Sequence, residues 1–126
     1  MKKIEITSTQ NLPKIIFDGD NGYFEITGNS YPQDAESFYV PLINYANDYL
    51  KKARPITNLT CEIEYFQTTS QKFLTDIIKT LSLVNKQGLQ LNVNWKYHDE
   101  EDNEDIIISG KELEIVLNIK FNFIKK

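Results

Sequence analysis

Between Leu89 and Tyr97 the chain alternates without interruption, with Leu89, Leu91, Val93, Trp95 and Tyr97 set against Gln90, Asn92, Asn94 and Lys96. Successive side chains of a strand point to opposite faces, so the segment predicts a β-strand with one apolar and one polar side. The pattern returns twice. Leu59, Cys61, Ile63 and Tyr65 alternate with Thr60, Glu62 and Glu64, and Leu117, Ile119, Phe121 and Phe123 alternate with Asn118, Lys120 and Asn122. Strands covered on both faces read as unbroken apolar runs, and these do not. A sheet made of them carries its helices mainly on one face and leaves its Asn, Gln, Thr and Glu side uncovered.

The segments between these strands have helical spacing. From Asp34 to Ala53 the apolar positions Phe38, Leu42, Tyr45, Ala46, Tyr49, Leu50 and Ala53 fall on one stripe, with Lys51 and Lys52 in the last turn where they suit the helix dipole. Pro41 inside that stripe predicts a kink, or a short first turn followed by a main helix starting at Pro41. A second helix is expected over about Ser70 to Lys86, lined by Phe73, Leu74, Ile77, Ile78, Leu81 and Val84 and stopped by Gly88. A third is expected over Ile106 to Val116, against the preferences of its β-branched Ile106-Ile107-Ile108 run and of Ser109-Gly110. Ahead of all of them, Ile4–Ile6, Lys14–Phe17 and Tyr23–Thr27 read as short strands, the last two joined by the turn residues Asp18 to Gly22 into a hairpin.

Strand–helix–strand alternation implies parallel crossovers, and the front hairpin adds antiparallel pairing. The expected fold is an α/β two-layer sandwich with a mixed sheet, formed as one domain over residues 1–126.

Composition removes several classes of function. The net charge of −4, the pI near 5.0 and the lack of any lysine–arginine cluster argue against nucleic acid as a partner. No apolar run reaches the ~18 residues of a membrane span, and Met1 to Thr7 alternates instead of forming a signal-peptide core. A cytoplasmic protein is expected. Cys61, the single cysteine, has no internal disulfide partner and sits in an apolar strand position as a small buried hydrophobe.

Three places could carry chemistry. His98, the single histidine, lies between Tyr97 and Asp99, where a general base oriented by a carboxylate is conceivable. No nucleophile motif, Gly-rich phosphate loop or Gly-x-Ser-x-Gly elbow accompanies it. The acidic run Asp99-Glu100-Glu101-Asp102-Asn103-Glu104-Asp105 offers oxygen ligands for a hard cation. However, Glu100 and Glu101 break the alternation of an EF-hand loop, and Glu104 stands where that loop needs glycine. A solvated loop, or a partner-facing rim of Asp99, Glu100, Glu101 and Asp102, fits better. Neither a metal nor a cofactor is expected. A small enzyme or cation-binding domain using His98 and residues 99–105 stands as the rival reading.

The third place is Gln67-Thr68-Thr69-Ser70-Gln71, between a strand and a helix. Its hydroxyls suit helix capping, and Thr68 with Gln71 has the spacing of a capping box. The same position presents a hydroxyl at the sheet edge, where a kinase can reach it and a partner can read it. Phosphate there carries about −1.5 to −2 charge, favourable beside a helix N-terminus and disruptive in an uncharged interface.

Four separated segments occur in an order that resembles the SiaC-type regulatory phosphoproteins, nearly end to end. They are Pro13 to Phe17, Gly28-Asn29-Ser30-Tyr31-Pro32, Glu64-Tyr65-Phe66-Gln67-Thr68-Thr69-Ser70 and Val93-Asn94-Trp95-Lys96-Tyr97. The resemblance implies a fold similar to the STAS-type anti-sigma factor antagonists and a function that is not enzymatic. In such proteins a cognate kinase phosphorylates a threonine in an Asn-Thr-Ser-Ser-like motif and a PP2C-type phosphatase reverses it. The unphosphorylated form binds and activates a diguanylate cyclase. The acceptor threonine falls on Thr68, with Gln67, Thr69, Ser70 and Gln71 as its setting. Gln67 replaces the usual Asn and Thr69 the usual Ser, which makes Thr69 an alternative acceptor. Tyr45 stands where the first helix often carries Trp, a difference expected to act on packing.

Overall fold

The computed structural model describes residues 1–98 and 104–126. Six strands form one sheet in sequence order: β1 (Ile4–Ile6), β2 (Lys14–Asp18), β3 (Tyr23–Ser30), β4 (Ile56–Phe66), β5 (Gln90–Tyr97) and β6 (Phe121–Lys125). The first three pair antiparallel, and β3 through β6 pair parallel. Each parallel link carries a helix: α1 (Ala35–Tyr49) after β3, α2 (Thr68–Ser82) after β4 and α3 (Glu104–Leu117) after β5. The sheet is therefore mixed and the architecture is the expected α/β one.

The alternation sorts side chains as the sequence implies. Phe24, Ile26, Leu59, Cys61, Val93 and Trp95 point into one fully buried core with Tyr39 and Tyr49 of α1 and Ile77, Ile78 and Leu81 of α2. The alternate positions of the same strands are polar and, apart from buried Thr60, only half-buried. Asn92 donates to Asn58, and Asn122 to Asn94, each at 3.2 Å, so amide side chains stitch neighbouring strands across that second face.

Four local expectations change. Tyr65 continues the two-residue period of β4, yet it is 57% exposed, and Phe66 is buried in its place. The pairing with β3 steps from Gly28↔Ile63 to Asn29↔Tyr65, leaving Glu64 as an extra residue. Such a bulge reverses the alternation beyond it. Pro41 does not begin a helix. α1 starts at Ala35, with Asp34 accepting from the Ser37 amide at 3.1 Å, and runs through Pro41 on its exposed side.

Leu117 belongs to a helix rather than to the final strand. Asn118 takes the left-handed conformation (φ 53°), its amide donates to the Ile115 carbonyl, and the Ile119 amide donates to that of Glu114. This 6→1 and 5→2 pattern closes helix ends around residues such as Asn and Gly that enter the left-handed region cheaply. Gly88 ends the α2 segment in the same way, after a 3-10 turn over Leu83–Gln87. Finally, Gly110 supports α3 rather than weakening it. A Cβ there would lie 2.8 Å from both Trp95 Nε1 and Phe123 Cε1, so only glycine lets the helix settle on the sheet. The Trp95 indole then donates to the Ile106 carbonyl at 2.9 Å.

Candidate functional site

At the carboxyl end of β4 the strand passes into α2 through Gln67, which occupies the N-cap with φ −60° and ψ 156° and makes no side-chain cap bond. Thr68 is thus the first helical residue and not the cap, and the capping box does not form. The Gln71 amide side chain instead donates to the Phe66 carbonyl at 3.1 Å. The cause lies in the neighbouring strand, where the Ser30 carbonyl accepts the Gln67 amide at 2.9 Å and holds that residue in extended geometry. Thr68 and Thr69 are exposed, and neither hydroxyl finds a partner among the described residues. The backbone amides of Thr68, Thr69 and Ser70 likewise find no acceptor there, at the positive end of the α2 dipole.

Ser70 has a different environment. It is fully buried, as are Ser30 and Tyr39. Ser30 Oγ donates to Ser70 Oγ at 2.8 Å and lies 2.6 Å from Tyr39 Oη. With the Ser30 proton directed at Ser70, the Tyr39 hydroxyl donates to Ser30. Burial pushes the Tyr39 phenol up to about 12, against the lowering effect of its serine partners, so it keeps its proton. The Tyr39 ring also stacks on Phe73 of α2 at 5.5 Å between centroids.

Beside the junction a groove of about 550 Å³ opens between α2 and α3, over Ile63, Leu74, Trp95 and Leu113. Its rim carries Glu64, Asp105 and Glu112, and Gln71 and Thr75 line its α2 side. Residues three, four and seven apart share a helix face. Thr68 therefore stands on the same face as Gln71 and Thr75, one turn closer to the sheet edge. Exposed Tyr65 and Val116, which line the groove, give its entrance apolar surface.

The other sequence candidates lie elsewhere. His98 is 3.5 Å from Glu62, on the amide-stitched face of the sheet, where Lys126 also reaches Glu62 at 2.7 Å. Burial raises the Glu62 carboxyl, but Lys126 and His98 outweigh it and the net shift is downward. Asp99, Glu100, Glu101, Asp102 and Asn103 lie outside the described residues, and with them the cation loop and the acidic rim. Glu104 and Asp105 form the first turn of α3, where carboxylates favour the dipole. Among the described residues no group of three or more His, Cys, Asp and Glu side chains could hold a metal ion, and no helix is long and apolar enough to cross a membrane. Cys61 is fully buried, and burial pushes its thiol up to about 12. Tyr45 packs against Phe17 and Phe24, and its hydroxyl accepts the Gly19 amide at 3.0 Å.

The sequence reading missed Tyr39 and Ser30. Ser30 gave one signal, as a small polar residue immediately before Tyr31-Pro32 at the end of a strand; Tyr39 gave none beyond its aromatic character.

Known proteins share this fold. A relative from Pseudomonas aeruginosa (strain UCBPP-PA14), an uncharacterized protein, is 26% identical over 97 residues, covering 77% of each chain. Among solved structures, SiaC of Pseudomonas aeruginosa superposes with a TM-score of 0.83 at 22% identity, over 100% of this chain and 98% of that one. A chain from the crystal structure of the diguanylate cyclase SiaD in complex with its activator SiaC, from Pseudomonas aeruginosa, gives a TM-score of 0.87 at 23% identity, covering 98% of this chain and 99% of that one. The family model for SiaC family regulatory phosphoproteins matches residues 6–126. The buried tie between strand and helix, the exposed threonines above it and the groove beside them thus sit in a chain that belongs to the SiaC family of regulatory phosphoproteins.

Proposed function

We propose that this chain is a single-domain, non-enzymatic switch whose unphosphorylated form binds and activates a partner of diguanylate cyclase type in the cytoplasm. A cognate kinase blocks it by phosphorylating Thr68, and a PP2C-type phosphatase restores it. The observation that carries this reading is the position of Thr68, an exposed hydroxyl with no partner among the described residues, on the first helical residue and on the face that borders the groove. Phosphate at that point is tolerated by the fold, because the amides of the first turn find no acceptor among the described residues and the dipole favours negative charge. A partner lying across the groove has to exclude water from the same group, which costs several kcal/mol when no cation compensates it. Folding and binding therefore respond to the modification with opposite sign.

Thr69 is exposed as well, but it is rotated about 100° from Thr68 around the helix and away from the groove-lining positions. Charge on Thr69 would disturb that surface less. His98 does not compete for the role, since it is engaged with Glu62 on the other side of the sheet.

Purification from the native host, fragment mass spectrometry and a binding assay against a diguanylate cyclase of that host test the proposal together. The expected result is phosphate on Thr68, with only the unphosphorylated form retaining the cyclase and raising its activity. Phosphate confined to Thr69, or a Thr68-phosphorylated form that binds equally well, refutes it.

A further inference from the structure

The phosphoacceptor is the first hydroxyl of a run of three, Thr68-Thr69-Ser70, and the third behaves unlike the others. A kinase that reads a strand-to-helix junction meets three chemically similar oxygens within one helical turn. Something in the fold has to make them unequal.

We propose that the buried Tyr39–Ser30–Ser70 hydroxyl chain is an anchor that fixes the first turn of α2 and so selects which hydroxyl is offered for modification. The three residues come from α1, the end of β3 and the start of α2, and all three are fully buried. Ser30 acts twice. Its carbonyl takes the Gln67 amide at 2.9 Å and its hydroxyl donates to Ser70 at 2.8 Å, so one residue grips the turn on both sides of Thr68. Tyr39 closes the chain at 2.6 Å, and its stacking on Phe73 orients its ring against α2. The bulge at Glu64 belongs to the same device, because the changed register pairs Phe66 with Ser30 and brings the junction over Ser30.

A turn held in this way has two properties. Ser70 is closed to any kinase unless the turn opens, and Thr68 is projected from a rigid backbone instead of a fraying one. Fraying of the first turn is the default where no side chain caps it, and α2 has no such cap. The anchor replaces the missing cap from below. Tyr39, Ser30 and Ser70 act here as positioning residues and exchange no group with any substrate.

The inference rests on Thr68 as acceptor for its consequence, but not for its primary readout. Amide hydrogen exchange at Gln67 and Gln71, the two hydrogen-bonded amides of the turn, is followed in the full chain for wild type, Tyr39→Phe and Ser70→Ala, alongside phosphosite mapping of each protein expressed in the native host. Tyr39→Phe removes one oxygen and keeps the ring, so the fold is retained. Exchange of the hydrogen-bonded Gln67 and Gln71 amides should rise by about tenfold or more while the β4 and β5 amides stay protected, and in Tyr39→Phe phosphate should spread from Thr68 to Ser70. Unchanged exchange in both variants, with the fold intact, overturns the proposal. Should a variant lose protection throughout, Ser30→Thr, which keeps the hydroxyl, is measured as well; loss of protection there too overturns the anchor in favour of a packing role. Raised exchange at Gln67 and Gln71 with no phosphate on Thr68 or Thr69 in wild type supports the anchor and refutes the phosphoacceptor assignment.

Discussion

Replacing Thr68 by aspartate and by alanine separates folding from binding. The Thr68 side chain is exposed and makes no hydrogen bond among the described residues, so Thr68→Ala should change stability by no more than about 0.5 kcal/mol, as is usual at plain surface positions. This is less than the roughly 0.5–2 kcal/mol expected had Thr68 been the cap. Thr68→Asp places a carboxylate at the first helical position, beside three amides that find no acceptor among the described residues, and should stabilise by about 0.3–1 kcal/mol at low ionic strength. With a urea m-value of roughly 2 kcal/mol/M, the midpoint should rise by about 0.15–0.5 M for aspartate and move by no more than about 0.25 M for alanine. At the partner surface, burying the uncompensated carboxylate should cost several kcal/mol, and each 1.4 kcal/mol is about tenfold in affinity. Thr68→Asp should therefore weaken binding to a diguanylate cyclase partner by well over about tenfold, while Thr68→Ala keeps it. Urea denaturation and titration calorimetry on the same samples read both quantities. An aspartate variant that unfolds, or one that binds as tightly as the unaltered protein, refutes the reasoning.

Three further outcomes are expected. Gly110→Ala should destabilise by about 1 kcal/mol or more despite the helix propensity of alanine, because its Cβ would meet Trp95 and Phe123 at 2.8 Å; a raised melting temperature contradicts this. Cys61, buried and with its thiol pushed up to about 12, should react with a disulfide reagent near pH 8 at least about a hundredfold more slowly in the native protein than in denaturant, and equal rates would show the strand to be open. The net downward shift of Glu62 means that its folded pKa lies below its unfolded one. Its stabilisation is therefore present above the ordinary value of 4.5 and lost as pH falls below it. Glu62→Gln should cost about 0.2–1 kcal/mol near pH 7 and progressively less as acid protonates the carboxylate, and a loss that does not change with pH would count against the ion pairs as its source.

Strand β5 was legible in the sequence because its two faces meet different environments, and a period of two records that difference residue by residue. Tyr65 was not, because the bulge that turns it outward is a property of the pairing between β3 and β4 and leaves no mark on β4 alone. Leu117 and Ile119 fit both a strand alternation and a helix end; only the left-handed Asn118 decides between them. Gly110 was weighed as a helix weakener by propensity, although its reason for being glycine lies in Trp95 and Phe123, distant in sequence. At the site, Thr68 could be found from its place between an alternating and a helical segment and from the family resemblance. Which residue caps the helix could not, since the Ser30 carbonyl, far back in the chain, sets the geometry of Gln67. The Tyr39–Ser30–Ser70 chain spans separations of 9 and 40 residues and has no local signature.

The extra residue in β4 also gives the junction a reading frame. Beyond the extra Glu64, Phe66 pairs with Ser30, so the spacing from Phe66 to Ser70 decides which hydroxyl faces outward and which meets Ser30. Letters within that interval can change while the frame holds. Length cannot. Deleting Glu64 would remove only the bulge and leave Tyr65 opposite Asn29 and Phe66 opposite Ser30, whereas losing a residue beyond it, such as Gln67, would turn the start of α2 so that another hydroxyl takes the outward place. Which hydroxyl faces outward is in this sense a matter of counting along the backbone, which makes insertions and deletions between Phe66 and Ser70 more disruptive than substitutions.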